Sequence, residues 1–252
     1  MRLLGDGIRR RRAPPGPATP AVSGTLGGGA GVRRIFWLAW RDLTLELRGR
    51  AGLLSVVFFL TVMLLILGLA FGPYPQDLRK AAPGVLWVAL AFAGSLLASR
   101  AFGLEVEDGT LDDLLLTPGG KEWIYFGKLL FQMILLLAVG LILIVLTAGL
   151  FYLPLAAWPG LLLTLLLGTL GYASVSTFYA GMLARLRGRE VLLPLLLFPI
   201  VVPVVLSSVQ ATIGLAQGLP LAEMRHWWQL LLVFDVIYVT VCSLLFPWVL
   251  EG

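Results

Sequence analysis

The chain has 252 residues, of which 59% are hydrophobic and only 13% are charged. A soluble domain carries about 45–50% apolar and about 25% charged residues, so this composition excludes an ordinary water-soluble fold. The single histidine and single cysteine exclude an intrachain disulfide and a metal site built from these two residue types. The net charge of +5 comes without a stripe of alternating basic and aromatic residues, so we expect no nucleic-acid partner.

Residues 1–32 differ in composition from the rest of the chain. Four consecutive arginines, Arg9 to Arg12, are followed by a stretch rich in proline and glycine. Such a segment buries too little apolar surface to order itself, and it lacks the apolar region of a signal peptide. We interpret it as a disordered tail, or as the product of a start codon assigned too early, in preference to a lipid-binding segment. Residues 33–252 are predicted to form one membrane domain.

Residues 33–50 favour an amphipathic helix at the membrane surface. Apolar side chains recur there at helical spacing among several arginines. The recurring residues are Phe36, Ala39, Trp40, Leu43 and Leu47. Trp37 and Trp40 are expected at the level of the lipid headgroups. The alternative is a cytoplasmic extension of the first membrane span, and both interpretations place this segment on the inner face.

Six apolar stretches follow, and each is long enough to cross the hydrocarbon core as a helix. They cover about residues 51–72, 83–103, 123–153, 155–184, 191–213 and 227–250. The sequence therefore predicts an all-α, polytopic membrane protein with six transmembrane helices. Small residues in the fourth stretch, including Gly168 and Gly171, are typical of closely packed membrane helices.

The distribution of lysine and arginine predicts the orientation of these spans. If the N-terminus lies inside, most basic residues fall on the inner side and only Arg79, Lys80 and Arg225 fall on the outer side. Cytoplasmic loops carry the excess of basic residues in membrane proteins. Both termini are therefore predicted to be cytoplasmic.

The loop between the second and third spans is the most polar part of the predicted domain. Five carboxylates fall within nine residues: Glu105, Glu107, Asp108, Asp112 and Asp113. Asp108-Gly109 is typical of a turn, and Leu111, Leu114 and Leu115 would form the apolar face of a short helix. Because anionic lipid would repel the carboxylates, we favour docking to a partner protein over contact with the bilayer surface.

Two further features lie in the fifth and sixth spans. Pro194, Pro199 and Pro203 predict either a kinked but continuous fifth span or one that is broken or re-entrant on the outer face. Asp235 is an acid within the sixth span, and such residues are often functional. It is expected to line a path or to pair with a polar group such as Gln210.

His226 precedes Trp227 and Trp228 at the predicted outer interface. We prefer to interpret this run as an aromatic anchor at the membrane surface. The alternative is an axial ligand for haem, for which the sequence offers no second axial candidate.

The chain shows no pattern of catalytic residues. Gly119-Gly120-Lys121 fails as a phosphate-binding loop, because Leu115 and Glu122 occupy the positions that need glycine and serine or threonine. We therefore predict a non-catalytic subunit, and any ATP hydrolysis would belong to another chain.

From about Ile35 to Leu250 the chain resembles the CcmB family, membrane permease subunits of the ABC complex for cytochrome c maturation. Three blocks carry the resemblance. They are Gly72-Pro73-x-Pro75-Gln76 with Ala82-Pro83-Gly84-x-x-Trp87-Val88-Ala89; Arg100-x-Phe102 with Glu107-Asp108-Gly109-Thr110-Leu111-Asp112-x-Leu114 and Pro118; and Leu193-Pro194-Leu195 with Pro199 and Pro203.

The resemblance implies a six-helix fold like that of ABC-2 type exporters, located in the bacterial inner membrane. It implies a coupling helix that docks on a CcmA-like ATPase subunit, and further partners that are CcmC-like, CcmD-like and, outside, a CcmE-like haem chaperone. The implied docking residues are Arg100, Glu105, Glu107, Asp108, Gly109, Leu111, Asp112, Leu114 and Leu115. Haem would be a substrate and not a permanently bound cofactor. Two alternatives stay open: a scaffold that releases haem-loaded chaperone without transporting haem, and an ABC-2 permease for a lipid or a drug.

Overall fold

The computed structural model describes residues 28–49, 51–103, 106, 109, 122–186 and 188–251. Within these ranges the chain forms α-helices and one short 3-10 helix, with no strand. The α-helices are α1 (Gly28–Gly49), α2 (Ala51–Phe71), α3 (Pro75–Arg100), α4 (Glu122–Phe151), α5 (Trp158–Leu183), α6 (Arg189–Ala216) and α7 (Arg225–Glu251). The 3-10 helix, Leu221–Met224, directly precedes α7.

The described ranges contain six helices that are long and apolar enough to cross a membrane, namely α2 to α7. Mean hydropathy in their most apolar windows ranges from 1.6 in α5 to 3.0 in α4. The prediction of an all-α polytopic membrane protein with six spans is confirmed.

Two helices begin earlier than the sequence predicts. The second span was expected to begin at Pro83, but α3 begins at Pro75 and contains Pro83 in its interior. Pro75 occupies the first turn, where a missing N–H costs nothing, and the polar residues that follow make the added turns too hydrophilic for hydropathy to detect. Helix α1 begins at Gly28 rather than at residue 33. Residues 1–27 lie outside the described ranges, so disorder there stays a prediction.

Helix α1 packs mainly against α4 and presents aromatic side chains outward. Leu38 and Ala39 are buried, whereas Phe36, Trp37 and Trp40 are exposed. In addition, Gly127 of α4 allows Leu38 to approach, since a Cβ at that glycine would lie 2.7 Å from Leu38 Cδ2. An apolar outer face on a helix beside the first span suits a position at the lipid interface, as the sequence predicts.

Helix α5 is at the centre of the bundle and packs against α3, α4, α6 and α7. Its glycines receive large side chains from these neighbours: Gly168 lies against Trp87 of α3, and Gly181 lies against Phe246 of α7. A Cβ at Gly181 would lie 2.6 Å from Phe246 Cε2. The prediction that small residues of this span serve close helix packing agrees with these contacts.

Helix α6 is continuous from Arg189 to Ala216 and contains Pro194, Pro199 and Pro203 in its interior. Of the two predicted alternatives, the structure therefore shows the continuous span and not a broken or re-entrant one. A neighbouring span also bonds to its backbone, because the Tyr238 hydroxyl donates to the Ile200 carbonyl at 2.9 Å. Such contacts are how membrane helices tolerate interior prolines.

Candidate functional site

The alternating direction of α2 to α7 gives the bundle two ends with different chemistry. One end, here called the Arg100 end, holds the C-termini of α3, α5 and α7 and the N-termini of α2, α4 and α6. Gly52 at the start of α2 lies beside the Arg100 side chain there. The opposite end is called the His226 end. It brings the last residues of α2 and α4 together, with the Phe71 and Phe151 ring centroids 6.5 Å apart.

A buried lysine organises the Arg100 end. Lys128 Nζ on α4 lies 2.8 Å from Asp42 Oδ2 on α1, and the two side chains are 1% and 5% exposed. The same ammonium donates a hydrogen bond to the Ala101 carbonyl at 2.6 Å and lies 4.9 Å from the centre of the Phe102 ring. One side chain therefore holds α1, the base of α4 and the residues directly after α3 together.

Asp42 has a second cationic neighbour on its own helix. Arg41 Nη2 lies 2.6 Å from Asp42 Oδ1. The carboxylate thus has one buried and one partly exposed positive partner, which offsets the cost of removing it from water.

A recess of about 360 Å³ adjoins this ion pair. It is lined by side chains of both signs, including Glu46, Arg100, Arg189 and Glu190. Arg189 reaches toward the residues after α3, since a Cβ at Gly103 would lie 3.5 Å from Arg189 Nη2. The recess is thus a charged surface at the point where the chain leaves α3 toward residue 104.

The predicted coupling helix is only partly described. Arg100 lines the charged recess, and Gly109 adopts φ +66°, a conformation that favours glycine and fits the predicted Asp108-Gly109 turn. The other residues predicted for docking lie outside the described residues: Glu105, Glu107, Asp108, Leu111, Asp112, Leu114 and Leu115. Docking through this segment stays a prediction.

Asp235 lies inside the bundle, on α7, and is 3% exposed. Neither carboxylate oxygen has a hydrogen-bond partner among the described residues. Gly171 of α5 makes room for this side chain, because a Cβ at that position would overlap Asp235 Oδ1. The expected hydrogen bond to Gln210 is therefore absent, and Gln210 instead lines a cavity at the His226 end.

A second polar atom without a partner faces the glycine that lies one helical turn earlier in α5. Ser208 Oγ on α6 is buried and has no hydrogen bond within the described ranges. It faces Gly168, where a Cβ would lie 2.6 Å from the hydroxyl oxygen. The centre of the bundle thus holds two buried polar groups, Ser208 and Asp235, against neighbouring glycines of α5.

The His226 end contains a cavity of about 530 Å³. Its walls come from the last turns of α6, the 3-10 helix and the first turn of α7, and its polar lining includes Gln210, Gln217, Arg225, His226 and Gln229. The His226 and Trp227 rings lie with their centroids 4.6 Å apart. The cavity is open to the surface, since Arg225 and His226 are both exposed.

Trp228, part of the predicted aromatic anchor, also holds two helices together. Its indole N–H donates to Thr164 Oγ1 on α5 at 2.9 Å, so the ring fastens α7 to the bundle. A similar bond joins Trp87 Nε1 on α3 to Thr212 Oγ1 on α6, also at 2.9 Å. These two tryptophans therefore link helices near the His226 end.

Sequence reasoning missed the Asp42–Lys128 pair. The distribution of basic residues assigns Lys128 only to the inner side of the membrane, and no pattern in residues 33–50 assigns a partner to Asp42. A signal was present: Lys128 is followed by a long uncharged and mostly apolar run, and a cation at the start of such a span needs a partner. The identity of the partner depends on how α1 folds back onto α4.

The described residues hold no group of three or more histidine, cysteine or acidic side chains that could bind a metal ion. Cys242 is buried within α7. The fold and these sites define a multi-pass, α-helical membrane protein.

Comparison with known proteins gives the family. Residues 33–251 match the family model described as "CcmB protein", and the chain belongs to this family. This agrees with the resemblance drawn from the sequence blocks.

Several curated relatives share the name "Heme exporter protein B". The chain is 36% identical to the protein of Rhodobacter capsulatus over 183 residues, which cover 71% of this chain and 82% of the relative. It is 33% identical to the Haemophilus influenzae protein, covering 69% and 80% of the two chains. It is 30% identical to the Pseudomonas aeruginosa protein, covering 74% and 84%. The family consists of transporter permease subunits, a class that is generally non-catalytic.

Proposed function

We propose that this chain is the membrane permease subunit of an ABC exporter that delivers haem outward during the biogenesis of c-type cytochromes. A separate, CcmA-like subunit would hydrolyse ATP. The observation that carries the proposal is membership of the CcmB family along nearly the whole six-span bundle, together with relatives named as haem exporters. Those names favour haem over a lipid or a drug as the substrate.

The Arg100 end is the proposed site of coupling to the ATPase. The segment from residue 104 to residue 121 leaves α3 next to the charged recess, and its sequence predicts an acidic docking helix. Lys128 binds Asp42 and the Ala101 carbonyl at the root of this segment. A push on the docking helix would therefore move α1, α3 and α4 together.

We place the Arg100 end on the cytoplasmic side. Among the described residues, Arg100, Lys128, Arg185 and Arg189 lie toward this end, together with the arginines of α1, whereas Arg79, Lys80 and Arg225 lie toward the other. This distribution follows the positive-inside rule. The His226 end would then face outward, toward a CcmE-like haem chaperone.

Partner membrane subunits, CcmC-like and CcmD-like, would cover part of the outer surface. Helix α2 is the least buried span, with 17% of its most apolar window buried. It presents large apolar side chains outward, including Leu54, Phe58, Ile66 and Leu69. Lipid or a partner helix covers such a face in a membrane.

The experiment is a pull-down of the full chain from bacterial membranes with a tag that contains no histidine, followed by identification of bound proteins and a haem assay. A deletion strain is tested in parallel for covalently attached haem in c-type cytochromes. Recovery of an ABC ATPase with the chain, and loss of c-type cytochromes in the deletion strain, are expected. Normal c-type cytochromes in that strain would overturn the proposed function.

A further inference from the structure

We propose that the cavity at the His226 end is an exit-side binding site for an iron porphyrin, with His226 as the axial ligand and Arg225 as the partner of the porphyrin carboxylates. This inference rests on the proposed function, because it assigns a place to the substrate of that function. His226 and Arg225 lie outside the three sequence blocks that carry the resemblance.

The size and composition of the cavity suit an amphipathic planar ligand. Its volume of about 530 Å³ lies within the range of about 300–1,000 Å³ that is usual for small-molecule and cofactor sites. Apolar surface comes from Ile213, Leu219 and Trp227, and polar groups converge from α6 and α7. A porphyrin needs this combination, since its ring is apolar and its two carboxylates are charged.

His226 is free to bind iron. Its side chain is exposed within the cavity wall, and no side chain of the described residues hydrogen-bonds to either ring nitrogen. The Trp227 ring lies 4.6 Å away between centroids, which limits how far the imidazole can turn. Imidazole is the usual proximal ligand of haem iron, and the porphyrin itself supplies the four remaining nitrogen ligands.

The charges in the cavity favour carboxylate groups next to this imidazole. Arg225 precedes His226 in the same helical turn, and its guanidinium forms no ion pair with a described residue. Gln217 and Gln229 add amide donors. Glu223 carries a negative charge on the cavity rim, and its repulsion would direct the porphyrin carboxylates toward Arg225.

The second axial position would stay open in this chain. Met224 is the sulfur-containing residue of the cavity wall, but it is 3% exposed. Its Sδ packs against α6, where a Cβ at Gly214 would lie 2.5 Å from the sulfur. A single axial ligand at an exposed site favours release, as a substrate requires and a resident cofactor does not.

The test is titration of the purified full chain in lipid nanodiscs with haemin, with affinity and the Soret spectrum as readouts. The chain contains one histidine, so an imidazole-ligated spectrum is attributable to His226 when the tag contains no histidine. Protoporphyrin IX without iron serves as a second probe, because it keeps the carboxylates and lacks the metal.

Three variants separate the roles. His226→Gly is expected to weaken haemin binding about tenfold or more, to lose the imidazole spectrum and to regain it with added imidazole, while protoporphyrin IX binding stays unchanged. Arg225→Gln is expected to weaken both ligands by roughly tenfold, since a charge-assisted contact is lost. Arg79→Gln removes an exposed arginine from the same end but outside the cavity, and it should bind both ligands as the wild type does.

The site would be overturned by a wild-type chain that does not bind haemin, or by a His226→Gly chain that retains the wild-type spectrum and affinity. Haemin binding that Arg79→Gln weakens as much as Arg225→Gln would also overturn it, because that result indicates general attraction to the surface. None of these results bears on ATPase recovery or on c-type cytochromes in the deletion strain. Failure of the site is therefore distinguishable from failure of the proposed function.

Discussion

The Lys128 ammonium on α4 lies 2.8 Å from the Asp42 carboxylate on α1, and both side chains are almost fully buried. The pair joins the helix at the membrane surface to the bundle, and Lys128 also holds the backbone of Ala101 where the chain leaves α3. A contact that bridges these elements at the root of the predicted docking segment links their positions mechanically, and losing one partner would leave a buried charge unpaired.

Breaking this pair should destabilise the protein. Lys128→Met leaves the Asp42 carboxylate buried without its main partner, and we expect a loss of about 3 kcal/mol, near the lower end for a broken buried pair because Arg41 still contacts Asp42. The double variant Asp42→Leu with Lys128→Met should recover most of the loss. Thermal unfolding in one detergent, followed by tryptophan fluorescence, measures both. A single variant as stable as the wild type would contradict the role assigned to the pair.

The second prediction concerns the close packing of α5 at Gly168. In Gly168→Ala the new Cβ would overlap Trp87 and lie 2.6 Å from Ser208 Oγ, so we expect a loss of about 1–3 kcal/mol. Gly149→Ala in α4 is the matched control, since no atom lies within 4 Å of the Cβ position there. It should be neutral or stabilising by up to about 1 kcal/mol. Equal unfolding temperatures for the two variants would show that α5 is not packed as described.

The third prediction concerns Asp235, whose replacement should raise stability while reducing function. Because neither oxygen has a hydrogen-bond partner among the described residues, Asp235→Leu removes a buried polar group without breaking a bond. We expect stability to rise by about 1–3 kcal/mol and cytochrome c assembly to fall, since intramembrane acids are usually kept for function. Ser208→Ala is the comparison variant. A fall in the stability of the leucine variant would reveal a partner for the carboxylate.

The docking segment is tested with the charge and leucine variants that its sequence suggests. Leu111→Asp or Asp108→Arg should remove the ATPase subunit from the purified complex, because an interface leucine or a paired charge is worth a few kcal/mol when lost. Asp77→Arg changes the charge of an exposed residue in the first turn of α3, at the opposite end, and should leave the complex intact. Recovery of the ATPase with either docking variant at the wild-type level would rule out this surface.

The orientation of the bundle is open to a labelling experiment. In a Cys242→Ala background, which removes the single cysteine of the chain, Lys80→Cys should react with a membrane-impermeant thiol reagent in intact spheroplasts. Arg48→Cys at the Arg100 end should react after permeabilisation, and both native side chains are exposed. The reverse pattern would place the N-terminus outside.

Much of the fold followed from local properties of the chain. A span is recognised by the length and apolarity of a continuous stretch, so all six were predictable. Helix ends were harder to place where polar residues belong to the helix, as in the first turns of α3 after Pro75. The three prolines of α6 were ambiguous because neighbouring helices decide whether a proline breaks a membrane helix.

The composition and apolar stretches of the chain were enough to predict that lipid surrounds it and that it crosses the membrane six times, and the sequence also contains the family blocks and the acidic segment between the second and third spans. Which polar groups meet depended on how the helices pack. Asp42 and Lys128 are far apart in the chain but share one buried site, whereas Asp235 lies against Gly171 and not beside Gln210. The physical reason is that hydropathy depends only on residues close together in the sequence. Which polar groups pair inside the membrane depends on which helices pack together, and those helices can be far apart in the chain.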